Sequence, residues 1–151
     1  MMTAKFPTAL LMLWVLGSCG ESQSGNYANW DALNKAQLVE KGWVPSIVPR
    51  SATNIFESHD LDSNTQWVEF SVPRQGVIEM IRDLPIVPKM DVDIAMANAN
   101  VSSWGAGKAT GLRGYIVCED VQPGVLFVDL ETGSALFSAP ADWARDDCEN
   151  K

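Results

Sequence analysis

The clearest pattern along the chain is an alternation of apolar and polar positions between residues 66 and 72. Val68, Phe70 and Val72 recur at every second position, which is typical of a strand with one buried face. Residues 62–65 read Asp-Ser-Asn-Thr, a composition that favours a turn. We therefore predict a hairpin whose strands cover residues 52–61 and 66–72.

Three further strands are predicted in the C-terminal part of the chain, at residues 114–119, 125–130 and 135–138. Residues 125–130 are almost entirely apolar, which indicates a strand that is buried on both faces. Pro123-Gly124 precedes this strand, and residues 131–134 separate it from the last one. Both segments have turn-forming composition.

Apolar residues follow helical spacing at two places. Leu33, Ala36 and Val39 fall on one face of a predicted helix over residues 31–41, which Asn29 or Asp31 would cap. A broad apolar stripe over residues 74–84 follows a proline, a residue that suits the start of a helix. The predicted fold class is α+β: about five mostly antiparallel strands, with one or two helices packed on the sheet.

The first twenty residues follow neither of these patterns. Lys5 is followed by an apolar run from Phe6 to Leu16 and by small residues, the order found in a secretory signal peptide. The run is shorter than the about 20 apolar residues that span a bilayer. Leu16-Gly17-Ser18-Cys19 resembles the lipobox of bacterial lipoproteins, which implies that Cys19 becomes the lipidated first residue of the mature chain. A conventional signal followed by an ordinary cysteine, or an uncleaved anchor, are the alternatives.

The residue after Cys19 is Gly20 rather than Asp. Asp at that position commonly retains Gram-negative lipoproteins at the inner membrane. The resemblance therefore implies a cell-envelope protein, on the periplasmic side of the outer membrane if the bacterium is Gram-negative. We expect a signal peptide at 1–18, a lipidated flexible tether at 19–28 and a single domain at 29–151. The polar, aperiodic composition of residues 21–28 supports the tether.

The chain is acidic, with 11 Lys and Arg, 19 Asp and Glu, and a net charge of −8. Removal of the leader would take away Lys5 and leave −9. Such a charge argues against nucleic acid as a partner and is compatible with a cationic one. Solubility is the simpler explanation of the charge.

Three cysteines are present, and two remain if Cys19 carries lipid: Cys118 and Cys148. An exported chain meets an oxidising compartment, where such a pair tends to form a disulfide. The chain has no Cys-x-x-Cys motif, so we predict a structural bond rather than a redox-active one.

Candidate metal and catalytic groups are sparse. Asp60, Asp62 and Asn64 match the opening of a calcium loop, but Thr65 replaces the glycine such a loop needs. A turn is therefore the favoured interpretation, and no cofactor is predicted. His59 is the single histidine, and a surface or hydrogen-bonded role is favoured over catalysis. No catalytic residue is assigned, since no spacing singles out a carboxylate pair.

Two tryptophans are candidate binding residues. Trp104 lies among glycines in the irregular segment 85–111, where an exposed aromatic side chain could anchor a glycan or a protein. Trp43 belongs to the segment Gly42-Trp43-Val44-Pro45. Together with residues 49–64, this segment resembles a stretch of small bacterial proteins. That resemblance implies no activity. The segment is either a ligand-facing rim or a structural corner, and the corner is the favoured interpretation.

These features favour a non-catalytic envelope lipoprotein that binds another component, in one form an inhibitor of immunity type that occupies a basic toxin. The alternative is a carboxylate-dependent hydrolase of cell wall or glycan. A structural surface protein is a third class.

Overall fold

The computed structural model describes residues 22–88, 112–119 and 122–149, and its main element is one antiparallel sheet. The sheet has seven strands in the spatial order β1-β2-β3-β7-β6-β5-β4. The strands are β1 Ser22–Asn29, β2 Thr53–Asp60, β3 Thr65–Ser71, β4 Ile86–Val87, β5 Leu112–Cys118, β6 Pro123–Asp129 and β7 Ser134–Ala139.

The helices of the described residues are short. They are α1 Trp30–Lys35, α2 Arg74–Ile81, a 3-10 turn at Asp142–Ala144 and α3 Arg145–Glu149. The side chain of Asn29 accepts a hydrogen bond from the backbone N–H of Ala32 at 3.1 Å and so caps α1. None of these helices is long and apolar enough to cross a membrane.

The predicted fold class is wrong. The structure is mostly a seven-stranded antiparallel sheet with a few short helices, and not an α+β domain with five strands. All five predicted strands are present, and the two that were missed are β1 and β4. Strand β1 has the polar sequence SQSGNYAN, without an apolar alternation, and its pairing with β2 holds it in the sheet. Strand β4 has two residues, too few for a period to be visible.

Strand β1 occupies most of the N-terminal segment that was predicted to be a tether. Residues 22–28, which were predicted to belong to a flexible tether over 19–28, lie in β1 and pair with β2 from Ser22↔Asp60 onward. The helix predicted over 31–41 ends as α1 at Lys35, because Gln37 adopts a left-handed conformation with φ 60°. The helix predicted over 74–84 ends as α2 at Ile81.

Apolar side chains cover both faces of the sheet. The larger cluster lies between one face, helices α1 and α2, and the connection after α1; its members include Leu33, Val44, Val48, Ile55, Val68, Phe70, Val77, Leu126, Val128 and Phe137. The smaller cluster lies on the other face, under the C-terminal segment; it contains Val87, Ile116, Val125, Phe127, Leu136, Ala141 and Ala144. All seven residues of β6 are buried, which confirms the prediction of a central strand.

The turn between β6 and β7 is anchored by the carboxylate of Asp129 and by Gly133. The carboxylate accepts hydrogen bonds from the backbone N–H groups of Glu131 and Thr132 at 2.9 and 3.3 Å. Gly133 has φ 75°, and a Cβ there would collide with the carbonyl oxygen of Val72. The same Gly133 accepts a hydrogen bond from the N–H of Val72 at 2.9 Å. This turn therefore requires glycine at position 133.

Candidate functional site

The most unusual group of side chains lies on the core face of β2. Side chains alternate between the two faces along β2, and this places Ile55, Glu57 and His59 on the same buried face. Glu57 and His59 are 1% and 2% exposed, and the His59 Nδ1 atom lies 2.6 Å from the Glu57 Oε1 atom. A buried carboxylate is costly unless it is paired, and His59 supplies the partner.

Trp43 covers the imidazole of His59. The two rings are stacked with centroids 4.0 Å apart and an interplanar angle of 10°. Gly42, with φ 78°, turns the chain, and the N–H of Trp43 then donates to the carbonyl of Leu38 at 2.9 Å. Trp43, predicted as a candidate binding residue, is partly buried and packs against the larger core cluster. Its observed contact is therefore internal.

Tyr27, on the outermost strand β1, lies beside the same group of side chains. Gly25 is the residue of β1 directly opposite Glu57, and the Tyr27 ring fills the space that a Cβ of Gly25 would occupy. Partial burial raises the pKa of Tyr27, and the charge of Glu57 raises it further. The phenol ring therefore lies within electrostatic range of the buried carboxylate.

Gln66 borders the group on the side of β3. It is the Cα partner of His59 across the β2–β3 pair, and its side chain is 7% exposed. Its Oε1 atom has no hydrogen-bond partner among the described residues. A buried carbonyl oxygen without a hydrogen bond is unfavourable. The Gln66 side chain is therefore the member of the group whose hydrogen bonding is incomplete. We call Tyr27, Trp43, Glu57, His59 and Gln66 the buried polar cluster.

The cluster can hold a proton but does not present a reactive group to solvent. Burial raises the pKa of Glu57, whereas the hydrogen bond and the charge of His59 lower it. A carboxyl group with a raised pKa is the kind of group that general acid catalysis uses. At 1% exposure, however, Glu57 cannot touch a solute unless the surrounding side chains move.

The weak calcium candidate forms a turn. The carboxylate of Asp60 accepts hydrogen bonds from the Ser22 hydroxyl and from the N–H and hydroxyl of Ser63. These bonds lower the pKa of Asp60 to about 2. Asn64 has φ 53°, and its side-chain amide donates to Gln122. Within residues 22–88, 112–119 and 122–149, no group of three His, Cys, Asp or Glu side chains could hold a metal ion.

Cys118 and Cys148 form a disulfide bond with an S–S distance of 2.11 Å, as predicted. The bond joins the end of β5 to α3, and Cys148 packs against the smaller core cluster. The bond therefore fastens the C-terminal segment to the sheet.

Two of the predicted site residues lie outside the described residues. These are Cys19, the predicted lipidation site, and Trp104, the other candidate binding residue. Of the irregular segment 85–111, the structure describes residues 85–88, which include β4.

Sequence reasoning missed Tyr27, Glu57 and Gln66 as members of one group. A signal for part of it was present, since Glu57 and His59 are two residues apart in a predicted strand and must share a face. Nothing local showed that this face is the core face at that end of β2, because Trp43 reaches it from a separate segment. Gly25 and Tyr27 belong to the segment that was predicted to be a tether.

One family model matches the chain. It describes the YbbD head domain and covers residues 21–71, about a third of the chain. The matched segment contains β1, α1, β2 and β3, and therefore every residue of the buried polar cluster. Neither a curated protein nor a solved structure matches the chain.

Proposed function

We propose that the chain is a small acidic lipoprotein of the bacterial cell envelope and acts as a binding module. The observation that carries the binding role is the position of the chain's single histidine and its carboxylate partner. Both are closed into the core beneath Trp43, while acidic side chains such as Asp31 and Asp62 are exposed to solvent. This arrangement supports a surface that recognises a partner better than it supports a reaction at His59.

The alternative, a carboxylate-dependent glycan hydrolase, has its best candidate acid in Glu57. Glycan cleavage requires two carboxyl groups that flank the scissile bond. Burial keeps Glu57 out of contact with a glycan. The binding role therefore has more support than the hydrolase.

The anchoring part of the proposal rests on Leu16-Gly17-Ser18-Cys19, and the position of β1 determines how close the sheet would lie to the membrane. The strand begins at Ser22, three residues after Cys19. Three residues span at most about 11 Å when fully extended. Lipid on Cys19 would therefore hold the end of the sheet that contains Ser22 and Asp60 close to the headgroups of its membrane.

The proposed partner is a cationic envelope component, in one form a basic toxin that the chain inhibits. The support is the net charge of −8, which favours cationic partners through long-range attraction. Binding of this kind weakens as salt rises, because exposed charges are screened.

Lipid labelling and co-purification test this proposal. The parent chain, a Cys19→Ser variant and a Cys148→Ser control are each expressed with a labelled fatty acid and fractionated. We expect the parent and the control to be labelled and membrane-bound, and Cys19→Ser to lose both properties. Labelling of Cys19→Ser at the level of the parent would contradict the anchor. Proteins retained by the detergent-solubilised parent chain then test the binding role, and release by salt marks a cationic partner.

A further inference from the structure

Strand β1 is the outermost strand at its end of the sheet. Among the described residues, β2 alone pairs with it, and six of its eight residues are exposed. In an antiparallel pair, alternate residues direct their N–H and C=O groups away from the neighbouring strand. Four residues of β1 therefore direct these groups outward, where a further strand could pair with them.

The edge lacks the features that normally prevent such pairing. Edge strands are commonly protected by charged side chains, proline, a bulge or short length. The sequence SQSGNYAN contains neither charge nor proline, and its register with β2 is continuous from Ser22 to Tyr27. By contrast, β4, the last strand at the other end of the sheet, has two residues.

The edge is also held in the conformation that pairing requires. The Ser22 hydroxyl donates to Asp60, and the Ser58 hydroxyl donates to the carbonyl of Gln23 at 3.3 Å. At the other end, Tyr27 packs against the larger core cluster. A strand that is already ordered loses little conformational entropy when it binds.

The absence of charge from β1 favours a second copy of this chain as the occupant. The chain carries a net charge of −8, so two copies repel each other at long range and contact is least unfavourable where a surface carries no acidic side chain. Strand β1 has no charged residue, and a two-fold axis beside it would place this uncharged strand against itself. A cationic partner would be attracted to acidic side chains, which β1 lacks.

We propose that β1 pairs antiparallel with β1 of a second copy of this chain, so that one sheet continues through both copies. This inference goes beyond the proposed function and does not depend on lipid at Cys19. The interface would be small and its pairing weak in dilute solution. If both copies are anchored in one membrane, their high local concentration would favour the pair.

Cysteine cross-linking tests the contact directly. Purified full chains with Cys19→Ser carry one added cysteine, as Gln23→Cys, Ser24→Cys or Asn26→Cys, and are treated with a bismaleimide that spans about 8 Å, the reach of diagonal neighbours in an antiparallel pair. Asn34→Cys, on the exposed surface of α1, is the matched control. We expect a cross-linked homodimer that is strongest at one β1 position and is absent from the control. Cross-linking that is absent from β1, or equal at Asn34, would overturn the proposal.

A charge variant separates strand pairing from other contacts. Ser24→Lys with Asn26→Lys places two like charges on each copy of β1, and Asn34→Lys with Gln75→Lys adds the same charge on α1 and α2. Sedimentation at high protein concentration should show a dimer of the parent that is lost in the first variant and retained in the second, and absence of the parent dimer would overturn the proposal. Equal loss in both would show that the contact is not at β1. Circular dichroism verifies that each variant folds.

Salt dependence of the parent chain is a test that needs no substitution. Pairing through an uncharged edge of an acidic chain should strengthen when salt is raised from about 50 mM to about 500 mM, since screening weakens the repulsion between the copies. A dimer that dissociates at the higher salt would be held by ion pairs, and that result would overturn the proposal.

Discussion

Trp43 and His59 stack with their ring planes 10° apart, although they come from different segments of the chain. His59 is in turn fixed by Glu57 through the 2.6 Å contact between Nδ1 and Oε1. Trp43, which lies in the connection after α1, is thereby joined to strand β2 through the buried pair of Glu57 and His59. This contact accounts for the burial of the chain's single histidine, and its energetic weight can be measured.

Trp43→Ala should destabilise the fold strongly. Removal of a large buried aromatic side chain costs about 3–5 kcal/mol, and Trp43 is only partly buried, so we expect about 2–4 kcal/mol. Urea unfolding followed by circular dichroism measures the change in the free energy of unfolding. Trp143→Ala is the matched control, because Trp143 is 49% exposed. Equal losses in the two variants would show that the stack on His59 contributes little.

Glu57→Gln should change how stability depends on pH. Burial raises the pKa of Glu57 in the folded protein, so the folded state holds this proton at pH values where the unfolded chain has lost it. The stabilising contribution of the proton is complete below the ordinary carboxyl range and declines as the pH rises through the folded pKa. The parent should therefore lose stability over this interval relative to Glu57→Gln in urea titrations.

His59→Gln is the comparison variant for that titration. It removes the hydrogen bond and the charge that lower the pKa of Glu57. The decline in stability should then begin at the same pH as in the parent but continue to a higher pH, because the pKa of Glu57 in the folded protein is raised further. A decline that ends at the same pH in both proteins would mean that His59 does not influence the carboxyl group.

Two glycines with similar backbone angles should respond differently to alanine. Gly133 and Gly42 have φ 75° and 78°, so either substitution carries a left-handed strain of about 1 kcal/mol. A Cβ at position 133 would also collide with the carbonyl oxygen of Val72, whereas nothing lies within 4 Å of a Cβ at position 42. Thermal melts should show a much larger loss for Gly133→Ala. Similar losses would contradict the tight contact between this turn and Val72.

Reduction of the disulfide should lower stability without abolishing the sheet. The bond closes a separation of 30 residues, for which the chain-entropy estimate is about 3–4 kcal/mol. Cys118→Ser and Cys148→Ser should each lower the melting temperature, and the double variant should be no less stable than either single one. Two alkylatable thiols in the native exported protein would contradict the bond.

Strands with their own apolar alternation could be predicted from the sequence, and strands held by pairing could not. Residues 66–72 show the alternation directly, whereas β1 is polar and is ordered by its register with β2. The fold class was wrong because β1 and β4 were missed and the helices are few and short. The candidate site was missed for a related reason. The burial of Glu57 and His59 depends on Trp43 and Tyr27, which local sequence does not place beside them.

Asp60 gives the sharpest pH prediction, because its environment changes between the folded and unfolded states in a known direction. Hydrogen bonds from Ser22 and Ser63 lower its folded pKa to about 2. The ionised carboxylate therefore stabilises the fold above its ordinary pKa, and this contribution is lost as the pH falls toward about 2. Asp60→Asn should be less stable than the parent at neutral pH, and the difference should shrink as the pH falls through that interval. Asp62→Asn, the same substitution in the same turn, is the matched control, because it leaves the hydrogen bonds from Ser22 and Ser63 to Asp60 in place. If Asp60→Asn keeps the parent's acid profile, the carboxylate does not hold β1 against the turn.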